Sequence, residues 1–201
     1  MTEDDFDPKE HWNRRYAQGE ERQEPARVLV ENLHLLPREG NALDIACGLG
    51  ASSMVLARRG LKTWAWDIST VAIRRLEDAA WEDNLEIQAE VRDVTLTPPD
   101  GERFEVILVH RFLERELAAP IINALKPGGL LLYQTFVRDK ANPQAGPKTE
   151  DFLLEEGELL KLFAPLRIRV YREEGRLGDL EEGFRNEAML IGQKTAKKKE
   201  E

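Results

Sequence analysis

Two rhythms alternate along this chain. Short apolar runs of strand type are separated by stretches whose apolar residues recur at helical spacing. The strand-type runs are Ala42–Ile45, Thr63–Trp66, Glu86–Val91, Phe104–Val109, Leu130–Phe136, Leu166–Tyr171 and Phe184–Ile191. Phe104–Val109 and Leu130–Phe136 are nearly continuous apolar runs, as strands covered on both faces require. The helical stretches are Glu10–Gln18, a segment from Pro25 that ends before Pro37, Ala51–Arg59, a segment capped by Ser69, Leu113–Leu125 with Pro120 as a break, and Asp151–Phe163. Pro98–Gly101 and Lys126–Gly129 read as turns, Val137–Thr149 as a long Pro/Gly-rich loop, and Glu173–Gly183 as a charged excursion. Strands alternating with helices predict an α/β, doubly wound, Rossmann-like sheet with helices on both faces.

Composition narrows the setting. With 201 residues the chain suits one domain, expected over residues 1–192, with an acidic mobile start at 1–9 and a charged flexible tail at 193–201. The net charge of -9 argues against a general attraction to nucleic acid, and Lys197–Lys199 reads as a solvated end. The single cysteine excludes an intrachain disulfide framework. The first residues are acidic rather than basic-then-apolar, and no apolar run spans a bilayer, so a cytoplasmic protein with no membrane partner is expected.

The chemistry concentrates in Asp44-Ile45-Ala46-Cys47-Gly48-Leu49-Gly50, between the first strand and its helix. Glycines there let a ligand approach backbone, and Asp67, closing the second strand about 20 residues on, suits ribose hydroxyls. Asp44 inside the strand end is a poor neighbour for a pyrophosphate, which wants bare N–H groups. It suits an ammonium instead. S-adenosylmethionine carries an ammonium, a sulfonium and no phosphate. A nicotinamide dehydrogenase is the weaker reading. Cys47 is either a small residue filling a tight turn or a reactive thiol.

With Asp44–Gly50, Asp67, Asp93 after the third strand and Lys126-Pro127-Gly128-Gly129 before the fifth, residues 10–192 resemble class I S-adenosylmethionine-dependent methyltransferases. The resemblance implies a seven-stranded, mostly parallel sheet whose last strand is antiparallel. It also implies roles: Asp44 toward the methionine ammonium, Ala46, Cys47, Gly48 and Gly50 at the close-approach loop, Asp67 on the ribose, Ile68 on adenine, Asp93 and the Val94 N–H on the adenine edge. For Asp93 a plain turn acid is the alternative. A narrower likeness, through Leu35-Leu36-Pro37, the Ala42–Gly48 run and Ala65–Ser69, is to the tellurite-resistance methyltransferases, relatives of the thiopurine-type enzymes. Ala46, where that family has glycine, and Ala51-Ser52-Ser53, where it often has Arg-Asn, depart from the pattern.

On the acceptor side, His110 and Arg111 follow the fourth strand, at the edge where such sheets bind ligands. With Arg185 they are the expected catalytic groups, His110 also lining the cofactor, and Arg138 is a further candidate. The competing assignment pairs Arg111 with Glu114 or Glu116 on the surface. No metal is expected. The function this implies is methyl transfer to a small, soft or anionic acceptor, by a monomer or homodimer. The alternatives are an RNA or protein methyltransferase, or a regulatory protein that keeps the fold without catalysis.

Overall fold

The structure, a computed structural model, describes residues 7–19 and 23–195. The acidic residues 1–6 and the Lys-rich end of the tail lie outside them. Seven strands form one sheet in the order β3-β2-β1-β4-β5-β7-β6. They are β1 (Asn41–Ile45), β2 (Lys62–Asp67), β3 (Ile87–Val91), β4 (Phe104–His110), β5 (Leu125–Phe136), β6 (Arg167–Arg172) and β7 (Glu187–Gln193). Pairings among β3, β2, β1, β4 and β5 are parallel, and β7 is antiparallel to both neighbours, as expected. The strand order reverses between β1 and β4, which lie side by side with Ile45 opposite Val109. The crevice beyond their carboxyl ends is where an open α/β sheet holds a ligand.

Side-chain alternation splits the core. Leu43, Ile107, Val109, Leu131 and Tyr133 face one layer with Ile121 and Phe163. Ala42, Val106, Leu108, Leu132 and Ile191 face the other, with Val28, Leu29 and Leu56. Burying each such Leu or Ile contributes roughly 1.5–3 kcal/mol, so β4 and β5 are clamped from both sides. Asp44, His110, Gln134 and Glu187 share strand parity with the second set. Their polar groups therefore emerge together where that face reaches the carboxyl edge.

The helices are α1 (Pro8–Gln18), α2 (Arg27–Val30), α3 (Ala51–Arg58), α4 (Thr70–Glu82), α5 (Ala118–Ala124) and α6 (Glu158–Leu162). Asp7 caps α1, accepting from the Lys9 and Glu10 N–H groups, and Ser69 caps α4 through the Ala72 N–H. Three expectations are corrected. The helix from Pro25 is only one turn, because Asn32 leaves helical geometry and donates its side-chain N–H to Val28 O; a 3-10 turn, Leu33–Leu35, follows. Asp151–Phe163 is not one helix: Leu154 bridges to Val137, and the left-handed Gly157 starts α6 afresh. Lys126–Gly129 bends without ending its strand. β5 already pairs Leu125 with Phe104, then shifts register before Leu130 pairs with Val106. Pro120 falls in the first turn of α5, where its missing N–H costs nothing.

Candidate active site

The loop after β1 is built around backbone that turns left-handed three times. Ala46, Gly48 and Gly50 have φ of 53°, 55° and 77°. Glycine takes these angles freely; at Ala46 the methyl group is strained. The loop is tied across to β2: the Cys47 N–H donates to Trp66 O at 3.0 Å, and the Gly48 N–H to Asp67 Oδ2 at 2.8 Å. Asp67 also accepts the Ser69 N–H through Oδ1 at 2.9 Å. One carboxylate thus fixes the glycine loop and the start of α4 together.

Asp44 lies beneath the loop, 1% exposed, and accepts the Ser53 hydroxyl proton at 2.6 Å. Burial pushes its pKa up to about 7; the Ser53 hydrogen bond opposes this and Asp67 adds to it. Burial likewise raises Asp67 against the pull of its two backbone N–H bonds. Burial, then Asp44 and Asp67, push the Cys47 thiol well up, so it is a packing residue rather than a thiolate.

α1 closes over this edge. Asn13 Oδ1 accepts from the Ser69 and Thr70 hydroxyls and the Val71 N–H, and Arg75 donates to Tyr16 O and Gly19 O. A Cβ built on Gly48 would meet Gln23 Oε1 at 2.5 Å and the Tyr16 hydroxyl at 2.9 Å. Gln23 Oε1 also accepts the Leu49 N–H. Between the start of α1 and the sheet edge is a cavity of about 290 Å³, lined by Ile68, Val91 and Asp93 with Asp7, Pro8 and Lys9. Asp93 is at the same time a turn acid, its Oδ1 accepting the Thr95 N–H and hydroxyl. Val94 is buried beside it. A larger open groove, about 840 Å³ and lined by His34, Pro37, Lys126 and Gly128, lies at the opposite sheet edge, away from these carboxylates.

At the end of β4, burial lowers the His110 pKa to about 4, against Glu187 and with Arg111, so the ring is neutral near neutral pH. Arg111 is left-handed, with φ 54°. Its Nε donates to Glu187 Oε1 at 2.8 Å, and its guanidinium lies 5.3 Å from the Phe136 ring centre. Glu187 is 5% exposed, and its second oxygen accepts from Gln134 Nε2.

Residues 42–129 match the family described as "Methyltransferase domain". Over this stretch the chain is similar to methyltransferase domains. Curated relatives of this chain include "Ubiquinone biosynthesis O-methyltransferase" of Coxiella burnetii (strain RSA 493 / Nine Mile phase I), 26% identical over 120 residues, 57% of this chain and 51% of that one. The protein of the same name from Methylobacterium nodulans is 32% identical over 109 residues, 51% and 44% of the two chains. The chain spans about half the length of the curated relatives it matches. Among solved structures, TehB from Haemophilus influenzae has a TM-score of 0.68 at 19% identity, covering 93% of this chain and 67% of that one. Geranyl diphosphate C-methyltransferase from Streptomyces coelicolor A3(2), in complex with Mg2+, geranyl diphosphate and S-adenosyl-L-homocysteine, gives 0.67 at 14%, covering 93% and 98%. At these identities the two structures speak for the fold alone.

In this chain Asp44 at the end of β1 and Asp67 at the end of β2 flank the loop that carries Ala46, Cys47, Gly48 and Gly50, and Ile68 and Asp93 line one cavity. Arg111 pairs with Glu187 and not with Glu114 or Glu116. Arg185 is used otherwise than expected. Its Nε, Nη1 and Nη2 donate to Glu182 O, Gly175 O and Asp179 O, so it shapes the excursion between β6 and β7. Arg138 is paired with Glu155 at 2.9 Å. Tyr16, paired with Trp12 at i, i+4, is readable from sequence as a packing or ligand-covering aromatic, whereas Glu187, Gln134 and Gln23 are not singled out there. Glu187 and Gln134 sit in otherwise apolar strands, and that mismatch was the available signal. Among the described residues no group of side chains is suited to a metal, and no helix is long and apolar enough to cross a membrane.

Proposed function

We propose that this chain transfers a methyl group from S-adenosylmethionine to a small acceptor presented beyond the carboxyl ends of β1 and β4. The observation that carries the reading is the adjacency of two unlike half-sites. A doubly anchored carboxylate and glycine loop close β1 and β2, and a neutral imidazole beside a partly exposed guanidinium closes β4. The residues fit the cofactor. Ile68, Val91 and Asp93 border a cavity of about 290 Å³, near the lower end of the roughly 300–1,000 Å³ usual for ligand pockets, which suits a purine rather than the whole molecule. The approach to Gly48 is limited by two side-chain ends and not by backbone, so it can open.

Asp44 would compensate the methionine ammonium, and Asp67 would accept from the ribose hydroxyls with lone pairs its two backbone bonds leave unused. When bound, the cofactor supplies an electrophilic methyl on a sulfonium, so alignment of the nucleophile provides most of the rate. Neutral His110 is available to take an acceptor proton, and Arg111 to orient an anionic group. A soft chalcogen nucleophile, such as a thiol or a reduced selenium or tellurium oxyanion, needs orientation more than a base. The narrower family likeness favours that acceptor. An acceptor hydroxyl is the second reading, favoured by the named O-methyltransferase relatives and by the neutral imidazole.

Labelled-methyl transfer tests both, using thiols, catechols, and selenite or tellurite with reductant. Chalcogen products with a His110→Ala variant still active support the first reading. Catechol methylation lost in that variant supports the second. Faster methylation of bulk RNA or protein than of any small acceptor overturns both. Cytoplasmic location, monomeric or homodimeric state, and an acceptor-covering flap at Val137–Thr149 belong to the same proposal.

A further inference from the structure

The acidic Glu187 stands at the start of β7, 5% exposed, in a strand that is otherwise apolar up to Gly192. Removing a carboxylate from water is costly unless it is paired and hydrogen-bonded. Here both oxygens are used: Oε1 by Arg111 Nε at 2.8 Å, and Oε2 by Gln134 Nε2. Gln134 is itself held, its Oε1 accepting the Val28 N–H at 2.8 Å from the first turn of α2. The chain of contacts runs from α2 through two buried side chains to one guanidinium. Arg111 is fixed from its backbone side as well, in a left-handed conformation with its N–H donated to Gln134 O at 2.8 Å and its guanidinium against Phe136.

This arrangement engages Nε and leaves the other end of the fork open. Nη1 and Nη2 make no hydrogen bond among the described residues, and the side chain is 57% exposed. Several other cations near the carboxyl edge are engaged. Arg138 is paired with Glu155, Arg185 is bound to three carbonyls, Arg115 is paired with Glu158, Lys140 donates to Ala145 O and Pro147 O, and Arg92 is stacked on Trp66. A planar fork held by one nitrogen and a ring presents its remaining two N–H edges as a two-oxygen receptor.

We propose that the methyl acceptor carries a carboxylate or an equivalent two-oxygen anion received by Nη1 and Nη2 of Arg111, and that Glu187 is the positioning residue that aims the fork. The inference rests on the methyltransferase reading and names its acceptor class. Glu187 acts through Arg111 and touches no reacting atom. A purely structural Glu187 would stabilise β7 without selecting between charged and neutral acceptors.

The test is calorimetric titration of the protein saturated with S-adenosylhomocysteine, using two matched probe pairs: mercaptoacetate against 2-mercaptoethanol, and thiosalicylate against thiophenol. In at least one pair the anionic probe should bind about tenfold or more tighter, as a charge-assisted bidentate contact warrants. Glu187→Gln should bring the two members of that pair to within about threefold, leaving the neutral probe and S-adenosylhomocysteine unchanged. Arg111→Met, at a partly exposed position, should remove the preference even if Glu187→Gln folds poorly. No preference in either pair, or equal loss of anionic and neutral probes in both variants, overturns the inference alone. Failure of the unsubstituted protein to bind S-adenosylhomocysteine overturns the methyltransferase reading and this inference with it.

Discussion

Replacing Asp44 with Asn should make the cofactor-free protein more stable at alkaline pH while weakening the cofactor site. Asp44 is 1% exposed and its hydrogen bond comes from the neutral Ser53 hydroxyl. Burial pushes its pKa from 3.8 to about 7. Because the folded-state value is raised, the contribution to stability is fully present below the unfolded value and is lost as pH rises toward and through the folded one. The unfolded chain releases the proton first, and each pH unit between the two values costs about 1.4 kcal/mol, about 4 kcal/mol in all. Asn carries no such cost and keeps the acceptor for Ser53, but its amide N–H₂ finds no partner, at a cost of about 1 kcal/mol. Asp44→Asn should therefore exceed the parent by about 3 kcal/mol near pH 8 and fall slightly below it near pH 4. Urea unfolding followed by circular dichroism across this range measures the difference. His110 has a lowered folded value, so it destabilises both proteins alike as pH falls from its ordinary value toward about 4, and it cancels in the subtraction. Parallel stability curves for the two proteins would refute the reasoning, since they would mean that Asp44 ionises in the fold at no cost.

Other outcomes follow from the same geometry. Asp67→Ala should weaken S-adenosylhomocysteine by about 2–4 kcal/mol in calorimetry, through lost charged hydrogen bonds and a loosened Gly48 N–H; an unchanged affinity in a folded variant places the ribose elsewhere. Gly48→Ala should abolish cofactor binding at concentrations that saturate the parent, because its Cβ would fill the gap below Gln23 and Tyr16; equal binding means that this gap is not the approach. Ala46→Gly should raise the thermal midpoint, by relief of roughly 1 kcal/mol of left-handed strain, and a lower midpoint would mean the methyl packs usefully there. Amide exchange at Val137–Thr149 should be faster than in β4 and β5 and should slow when cofactor and acceptor are bound; exchange as slow as the core in both states ends the flap idea.

Much of this protein could be read from the order of its residues. Strand runs, the Asp44–Gly50 loop, Asp67 at the next strand end and Ser69 as a cap are local patterns, set by side-chain alternation, turn chemistry and capping, and each occupies its expected element. Contacts between distant segments were not legible in the same way. Asn32 breaks a helix its apolar spacing would permit, and Leu154 leaves a helix to bridge Val137, because packing against the sheet outweighs propensities of a few tenths of a kcal/mol per residue. The partner of Arg111 lies 76 positions away, since β7 runs antiparallel beside β5 and brings Glu187 opposite Phe136. The same antiparallel return sets Arg185 just before β7, where its bonds to three loop carbonyls shape the excursion. Periodicity along a chain determines which face each residue presents to its own element. Strand order and register decide which residues from different strands meet, and they depend on burial summed over the whole sheet, which no local window contains.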